Sequence, residues 1–466
     1  MSTTTTDTIC AIATAPGRGG VGIVRVSGPL AASVCRAILG EVPPPRTAHF
    51  AEFRDGDGAV IDQGIALYFK APRSFTGEDV LELQGHGGVQ VMSALLGRVL
   101  ALGARLANPG EFSERAFLNN KIDLAQAEAI ADLIDAGSAQ AMRSAMRTLQ
   151  GEFSRLIHAL VAELTQLRVH VEAAIDFSDE DIDVMSDTGV ADRLTAARQR
   201  LVLLFARAEQ GTLLKEGINI VIAGKPNAGK SSLLNALSGQ DTAIVTDIAG
   251  TTRDLLRTEI SLDGLPLHIT DTAGLRLSDD IVEQEGVRRA RQAMGEADQI
   301  LLLVDASTGK TDVATMLEPL ALNELPAESR RELLARTTLV LNKIDLLSQP
   351  DPGISSTDYA ELTLSLVRLS ATQGTGLPLL AAHLKDLVGY RQSGEGVFVA
   401  RQRHLQALTA AAEHLDSAAE GVSDHLQLEL IAEELRLAQR QLGLITGTVT
   451  SDDLLGEIFS SFCVGK

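Results

Sequence analysis

The run Gly224-Lys225-Pro226-Asn227-Ala228-Gly229-Lys230-Ser231 has the residue types and spacing to cradle a phosphate. Gly224 and Gly229 let the backbone turn its N–H groups inward around phosphate oxygens. The apolar run Ile218 to Ala223 before it reads as a buried strand, and Ser232-Leu233-Leu234-Asn235-Ala236-Leu237 after it reads as the start of a helix. A helix N-terminus at that point adds positive potential. Lys230 reaches the β- and γ-phosphates, and the Ser231 hydroxyl can ligate Mg²⁺. A chance glycine turn is the plainer reading, and only further nucleotide-site motifs in the correct order displace it.

Those motifs follow. Asp271-Thr272-Ala273-Gly274 comes after an apolar strand, Leu265 to Ile269. An Asp at a strand end can hold Mg²⁺ through water, and the Gly can offer its N–H to a γ-phosphate and sense its loss. Asn342-Lys343-Ile344-Asp345 follows the strand Leu339-Val340-Leu341. Its Asp can accept from both N1–H and the 2-amino group of guanine; adenine has neither donor, so a buried Asp left unpaired rejects it. Ser370-Ala371 follows a further strand and can offer backbone N–H to the guanine oxygen. Thr251-Thr252 stands between the phosphate loop and Asp271, where a switch threonine belongs. Each motif alone is weak; together, in this order, they read as a GTP-hydrolysing domain.

Small GTPases place a water-orienting Gln after the Gly of the second switch. Here Leu275 stands there and cannot orient water. Glu283, a few residues on, and a cation beside Asn227 are the candidates to replace it. Asn227 puts an oxygen donor inside the phosphate loop; the alternative is that it only shapes the turn. The chain ends Phe459-Ser460-Ser461-Phe462-Cys463-Val464-Gly465-Lys466, where most termini are frayed and polar. A buried structural Cys463 is the common reading, and a thiolate nucleophile or redox group beside a cation is the other. Asp176 to Asp183 is strongly acidic. It lacks the Gly and terminal Glu of a calcium loop, so a solvated turn between helices is favoured over a metal site.

These residues need a scaffold, and 466 residues are too many for one core. In residues 1–120, Gly19 to Val26 and Gly64 to Phe69 alternate like strands, with helical spacing from Leu30 to Leu39 between them. Asp79 to Leu83 is a further strand, ending at Gly85-His86-Gly87-Gly88, and a helix runs from Val89 to Leu102. The glycine cluster is no dinucleotide fingerprint, because strand, glycines and helix are not in the required order. From Lys121 the chain is helical, and Phe153, Leu156, Leu160, Leu164, Leu167 and Val171 form one apolar stripe. A second helix spans Ala191 to Ala208. Residues 217–386 alternate strands and amphipathic helices around a mostly parallel sheet, with Ser348 to Gly353 as a surface loop. Helices return over Arg401 to Ala419 and Leu426 to Leu442. The simplest topology is one discontinuous helical domain, 121–216 and 387–466, split by an inserted nucleotide domain.

Cys10, Cys35 and Cys463 are odd in number and far apart, which suggests a reducing compartment. With no signal peptide and no membrane-spanning run, the expected location is cytoplasmic. The formal charge of −20 argues against nucleic-acid binding by bulk charge and leaves it to a local patch or a partner.

The phosphate loop with its Asn227, the run Ile248-Ala249-Gly250-Thr251-Thr252-Arg253-Asp254, Asp271-Thr272-Ala273-Gly274-Leu275-Arg276 and the tail Phe462-Cys463-Val464-Gly465-Lys466 together resemble the MnmE (TrmE) family of bacterial tRNA-modification GTPases. Pro16-Gly17-Arg18-Gly19-Gly20, Ser74-Phe75-Thr76-Gly77-Glu78-Asp79 and Pro109-Gly110-Glu111-Phe112-Ser113 match as well, so the resemblance covers essentially the whole chain. The tail is its most diagnostic part, with Val464 where the family usually has Ile. The resemblance implies an N-terminal α/β folate-binding domain, the split helical domain and an inserted Ras-like P-loop G domain. It implies a homodimer that joins MnmG, an FAD protein. Together they install a carboxymethylaminomethyl or aminomethyl group at C5 of the wobble uridine of certain tRNAs. The one-carbon unit comes from 5-formyltetrahydrofolate or another tetrahydrofolate derivative.

By match to the family pattern, Arg25, Glu82, Lys121 and Lys466 fall at folate-contacting positions. GTP-contacting positions are Asn227, Ala228, Gly229, Lys230, Ser231 and Ser232, then Thr246, Asp247, Ile248, Ala249, Gly250, Thr251 and Thr252. Asp271, Thr272, Ala273, Gly274, Asn342, Lys343, Asp345, Ser370 and Ala371 complete that set. Ser231 and Thr252 match the Mg²⁺ ligands; Asn227, Thr246, Ile248 and Thr251 match the K⁺ ligands. Glu283 aligns with the residue that orients the water network, and Cys463 stands as a catalytic thiol. The competing class is a regulatory or assembly GTPase that binds ribosomal RNA. It predicts a basic RNA-binding appendix, which is not seen here, and gives the tail and the N-terminal domain no purpose.

Overall fold

The computed structural model describes residues 7–176, 189–239, 257–271, 291–309, 312–391, 396–423, 428–463 and 465. The chain divides into two compact units, Met1–Ile134 with Met146–Leu204 and Gln406–Lys466, and Asp135–Ala145 with Phe205–Leu405. Among the described residues no helix is long and apolar enough to cross a membrane.

In the first unit, strands β1 (Ile9–Ile12), β2 (Gly19–Ser27), β3 (His49–Arg54), β4 (Val60–Phe69), β5 (Val80–Gly87) and β6 (Arg105–Leu106) form one sheet in the order β3-β4-β5-β2-β1-β6. Alternation decides its faces. Val24, Val26, Leu81 and Leu83 point to a core with Val34, Cys35 and Ile38 of helix Ala31–Leu39 and Leu95 and Val99 of helix Val89–Ala101. The alternate residues Ile23, Arg25, Glu82, Gln84 and His86 take the opposite face. β5 continues through Gly87 instead of ending at Gly85. The reason is close backbone approach: Gly85 pairs with Gly22 and Gly87 with Gly19. A Cβ at Gly87 would lie 2.7 Å from the carbonyl oxygens of both Gly19 and Val21.

The helical part of this unit is built on Glu152–Asp176 and Leu428–Thr446. The buried stripe of the first is Phe153, Ile157, Leu160, Leu164, Leu167 and Val171. Ile157 thus replaces Leu156, which is only half-buried; alternating steps of four and three hold one face, and Leu156 sits on its flank. Ile431, Leu435, Ala438, Leu442 and Ile445 repeat the same spacing on the second helix. Thr165 and Arg168 meet Gln439 at 2.9 and 2.8 Å. A long helix, Val190–Glu216, extends beyond the expected Ala191 to Ala208. The acidic stretch after Asp176 and the start of the expected helix at Leu426 lie outside the described residues.

The second unit holds β7 (Ile218–Gly224), β8 (Arg257–Leu262), β9 (Leu265–Asp271), β10 (Gln299–Asp305), β11 (Thr337–Asn342), β12 (Gly353–Tyr359) and β13 (Leu362–Arg368), in the order β12-β13-β11-β10-β7-β9-β8. The inner pairs are parallel and the two edge pairs antiparallel. Both faces are covered, so central strands are apolar throughout. Ile220 and Ile222 face a core with Leu233, Leu237, Leu380 and Leu384; Val221 and Ala223 face one with Ile300, Leu302, Met316 and Leu339. The loop before β12 is exposed, and Gly353 begins that strand.

Candidate functional site

The parallel strands bring their C-terminal ends to one edge of the sheet, where an open α/β sheet binds ligands. The phosphate loop leaves β7 there and feeds helix Lys230–Ser238. Gly224 has φ 145, and a Cβ on it would stand 2.4 Å from the Leu303 carbonyl oxygen on β10. Gly229 has φ 97, and its Cβ would stand 2.2 Å from Nδ2 of Asn342. Asn227 is exposed and adopts φ 63, left-handed for a residue that is not glycine. Lys230 is 7% exposed, and its Nζ donates to the carbonyls of Gly224 and Lys225 at 3.0 and 3.1 Å. The ammonium is thereby held across the loop. Ser231 is exposed on the first turn of the helix, Ser232 is half-buried beside it and Ala228 is buried. Asp271 ends β9, paired in register with Ile222 of β7, which sets its backbone beside the strand that carries the loop.

At the end of β11, Asn342 is 2% exposed and acts as a tie. Its Nδ2 donates to the Ala228 carbonyl at 2.9 Å, and its Oδ1 accepts from the Ala371 N–H at 2.9 Å. One side chain therefore joins the phosphate loop to the loop after β13. Lys343 has φ 66, and its Nζ pairs with Asp305 Oδ2 at 2.7 Å. Asp345 is exposed on the short turn Ile344–Leu346, where a bound base would cover it. A single turn past the strand end, with only one side against the core, leaves it open. The N–H of Ser370 donates to Thr375 O at 2.9 Å, and that of Ala371 is the one taken by Asn342. Both expected donors to a guanine oxygen are thus engaged, Ser370 because its loop turns back on itself and Ala371 because Asn342 reaches across from the end of β11.

Asp305 is absent from the sequence reading. The register that pairs Asp305 with Asn342 across β10 and β11 puts it next to Lys343. Burial would raise its pKa; the bonds from Lys343 and Ser307 outweigh that and hold the carboxyl below its usual range. Thr246, Asp247, Ile248, Ala249, Gly250, Thr251, Thr252, Thr272, Ala273, Gly274, Leu275, Glu283 and Lys466 lie outside the described residues.

A second constellation lies in the first unit. Arg25 and Glu82 are register partners on β2 and β5, and Arg25 Nε donates to Glu82 Oε1 at 2.9 Å. The guanidinium stands 6.0 Å from the ring centre of Phe75 and 5.7 Å from that of Phe112, within reach of cation–π attraction to both. The C-terminal segment comes back to this place. Arg25 Nη1 donates to the Gly465 carbonyl at 3.3 Å, and the Gly110 N–H to the Cys463 carbonyl at 3.4 Å. Phe459 and Phe462 are 2% and 5% exposed, at 5.4 Å edge to face, with Phe459 also against Phe117. The rings anchor the tail, while Cys463 itself is exposed. The bland reading of Cys463 as a buried structural thiol therefore does not hold, since the rings on either side take up the buried positions. Lys121 donates to the Pro72 carbonyl at 2.9 Å, on the segment that leads to Phe75. Cys10 and Cys35 are buried, and burial pushes each thiol up to about 11.

Beside the Arg25 cluster is a charge network not anticipated from the sequence. Arg115 is 2% exposed and reaches Asp7 at 2.9 Å, Glu111 at 2.8 Å and Glu78 at 3.2 Å; Arg105 bonds Glu111 and Asp7, each at 2.6 Å. Burial would raise the Glu111 pKa, but bonds from Arg105, the Asn108 N–H and Arg115 hold it low. Only the i, i+4 spacing of Glu111 and Arg115 was visible beforehand.

Two family models match: "MnmE helical domain" over residues 124–463 and "GTP-binding protein TrmE N-terminus" over residues 8–121. Similar curated proteins carry the name tRNA modification GTPase MnmE. That of Proteus mirabilis is 55% identical over 462 residues, covering 99% of both chains. That of Sodalis glossinidius is 56% identical over 462 residues, again 99% of both. Among solved structures, the G domain of the T. maritima FeoB iron transporter is 23% identical, covering 38% of this chain and 99% of that one, with a TM-score of 0.25.

Proposed function

Because this chain belongs to the MnmE family and is a tRNA modification GTPase, we propose that it works on the wobble uridine, adding a carboxymethylaminomethyl or aminomethyl group at C5. In this reading tRNA is the substrate and GTP is hydrolysed in the second unit. A tetrahydrofolate derivative supplies carbon in the first. The observation that carries it is the return of the Cys463 segment to Arg25, the partner of Glu82. A cation with two rings near it, a carboxylate, and a tail that brings an exposed Cys463 back toward them suit a heteroaromatic ring with amide-like donors and a carboxylate tail. Arg25, Glu82 and Lys121 would hold such a folate. The functional segments are 1–120 for folate, 121–216 and 387–466 for the helical domain and 217–386 for the G domain. A homodimer that joins MnmG in the cytoplasm completes the proposal.

In the G domain the phosphate loop binds and orients. Its N–H groups and Lys230 would face the phosphates, Ser231 with Thr252 would ligate Mg²⁺, and Asp345 would read guanine. The donor set suits K⁺ as well. An exposed amide oxygen at Asn227 stands on the loop, joined in this reading by Thr246, Ile248 and Thr251. Such an ion would supply positive charge to the phosphates as they react, and Glu283 would orient water. Hydrolysis should therefore run about 10³-fold or more faster in K⁺ than in Na⁺. Equal rates in both salts, or an Asn227→Ala variant still stimulated by K⁺, would remove the ion from the mechanism. The whole reading is tested by nucleoside analysis of tRNA from cells lacking this chain. The wobble uridines should lose the C5 group, and unchanged wobble uridines would overturn it.

A further inference from the structure

On the sheet face that carries Arg25 and Glu82, β5 continues through Gln84 to His86. The pairing of β4 with β5 stops at Ile65 and Gln84. Beyond that point the carboxylate of Asp62 takes the place of a ladder partner. Its Oδ2 accepts the His86 N–H at 2.7 Å and its Oδ1 meets the ring Nδ1 at 2.8 Å. Gly85 makes this possible, since a Cβ there would stand 2.4 Å from Asp62 Oδ2. The Asp62 side chain is 11% exposed, whereas that of His86 is 74% exposed. An ionised carboxylate only accepts, so Nδ1 carries the hydrogen and Nε2 presents its lone pair outward. A glutamine amide or a serine would satisfy the strand end as well. An imidazole fixed in one tautomer by a nearly buried carboxylate is the arrangement of a general base with its orienting acid.

We propose that Asp62 and His86 are the proton-accepting pair of the tRNA modification, with His86 Nε2 as base and Asp62 as positioning residue. This rests on the wobble-uridine reading above. Each electrophilic one-carbon unit joined at C5 displaces one proton. The C5–C6 π pair forms the bond to the carbon of a folate iminium while the carbon–nitrogen π pair moves onto the folate nitrogen; the C5–H bond then breaks, its electron pair restores the C5–C6 double bond, and the proton forms an N–H bond at Nε2. Four residues of strand separate Glu82 from His86, about 13 Å. A bicyclic ring at Arg25 and Glu82 followed by a pyrimidine would fill that span along β5.

Two measurements test the pair. In the protein alone, ¹⁵N NMR of His86 should show the Nδ1-protonated tautomer at neutral charge, lost in Asp62→Asn; a dominant Nε2-protonated tautomer overturns the proposal. In the full system with MnmG, GTP, K⁺ and folate donor, tRNA tritiated at C5 of the wobble uridine should release tritium to water. His86→Ala should release it about 10²-fold more slowly, with recovery on adding free imidazole, and His86→Asn, which keeps a donor to Asp62, should be equally slow. Release by both variants at the parent rate overturns the pair alone. A slow His86→Ala that imidazole does not restore, beside Asp62→Asn at the parent rate, overturns it too. If the parent chain releases no tritium, the wobble-uridine reading itself fails and the pair with it. Melting curves confirm that each variant is folded.

Discussion

At the scale of single residues, polar groups with narrow tolerances separate function from packing. Asp345 is the guanine reader in the proposed site, and its exposure on a single turn leaves it open to a base. Asp345→Asn should shift preference toward xanthosine triphosphate, because the amide no longer accepts from both donors. Competition binding with GTP and XTP checks this, and unchanged GTP preference would reject the assignment. The three thiols divide sharply. Cys10 and Cys35 are buried with thiols pushed up to about 11, and Cys463 is exposed. Since the thiolate is the reactive form, native alkylation near pH 8 should mark Cys463 alone, as read by peptide mass spectrometry. Cys463→Ser should abolish wobble modification while GTP turns over at the parent rate. Modification at the parent rate would make the thiol a bystander.

At the scale of elements, the phosphate loop depends on two close approaches. Gly229 stands under Asn342, whose amide ties the loop to the one after β13. Gly229→Ala must adopt φ 97 and push against Nδ2 from 2.2 Å. We expect a cost on the order of 1–3 kcal/mol and GTP affinity lowered at least tenfold, measured by fluorescent-nucleotide titration. Gly239→Ala, at φ −85 with its nearest atom 3.4 Å away, is the control and should be near neutral. Equal effects from the two substitutions would show that helix propensity, not the loop's closeness to Asn342, governs this region. Elements with strong periodicity were legible in advance: the strands Ile218 to Ala223 and Leu265 to Ile269 and the helix over 153–171. The β5 extension was not, because a glycine-rich strand end has no apolar alternation and is held by its neighbour β2 and by the Asp62 carboxylate of β4.

At the scale of the whole chain, acid should act first on the first unit. Glu111 and Asp7 are both held below their ordinary values, burial opposing and the Arg105 and Arg115 bonds prevailing. A depressed folded pKa means stability that is present above the unfolded value and lost as pH falls through the folded one. Melting temperature should therefore hold at neutral pH and fall as pH drops below the ordinary glutamate value of 4.5. Arg115→Ala removes the buried guanidinium that joins Asp7, Glu78 and Glu111 and leaves Glu111 with Arg105, at a cost of about 3–5 kcal/mol at pH 7. Its melting temperature should vary less with acid than that of the parent chain. A variant with the parent's acid profile would place the carboxylates' stabilisation elsewhere.

The sequence by itself determined the chemistry of the phosphate loop, the order of the nucleotide motifs and most of the regular elements. Each of these is local: a glycine spacing, a charge type, a period of two or of about 3.6 residues. The tertiary structure decided which groups are already spent and which are free to act. It turned Asn342 inward as a tie, engaged the Ser370 and Ala371 N–H groups, gave Lys343 its partner Asp305 and left Asp345 exposed. It also returned the tail to Arg25, built the network around Arg115 and set Asp62 against His86. The pairs Asp62–His86 and Arg25–Gly465 join residues 24 and 440 positions apart. Nothing in either local sequence specifies the partner, because strand order and register choose who meets whom.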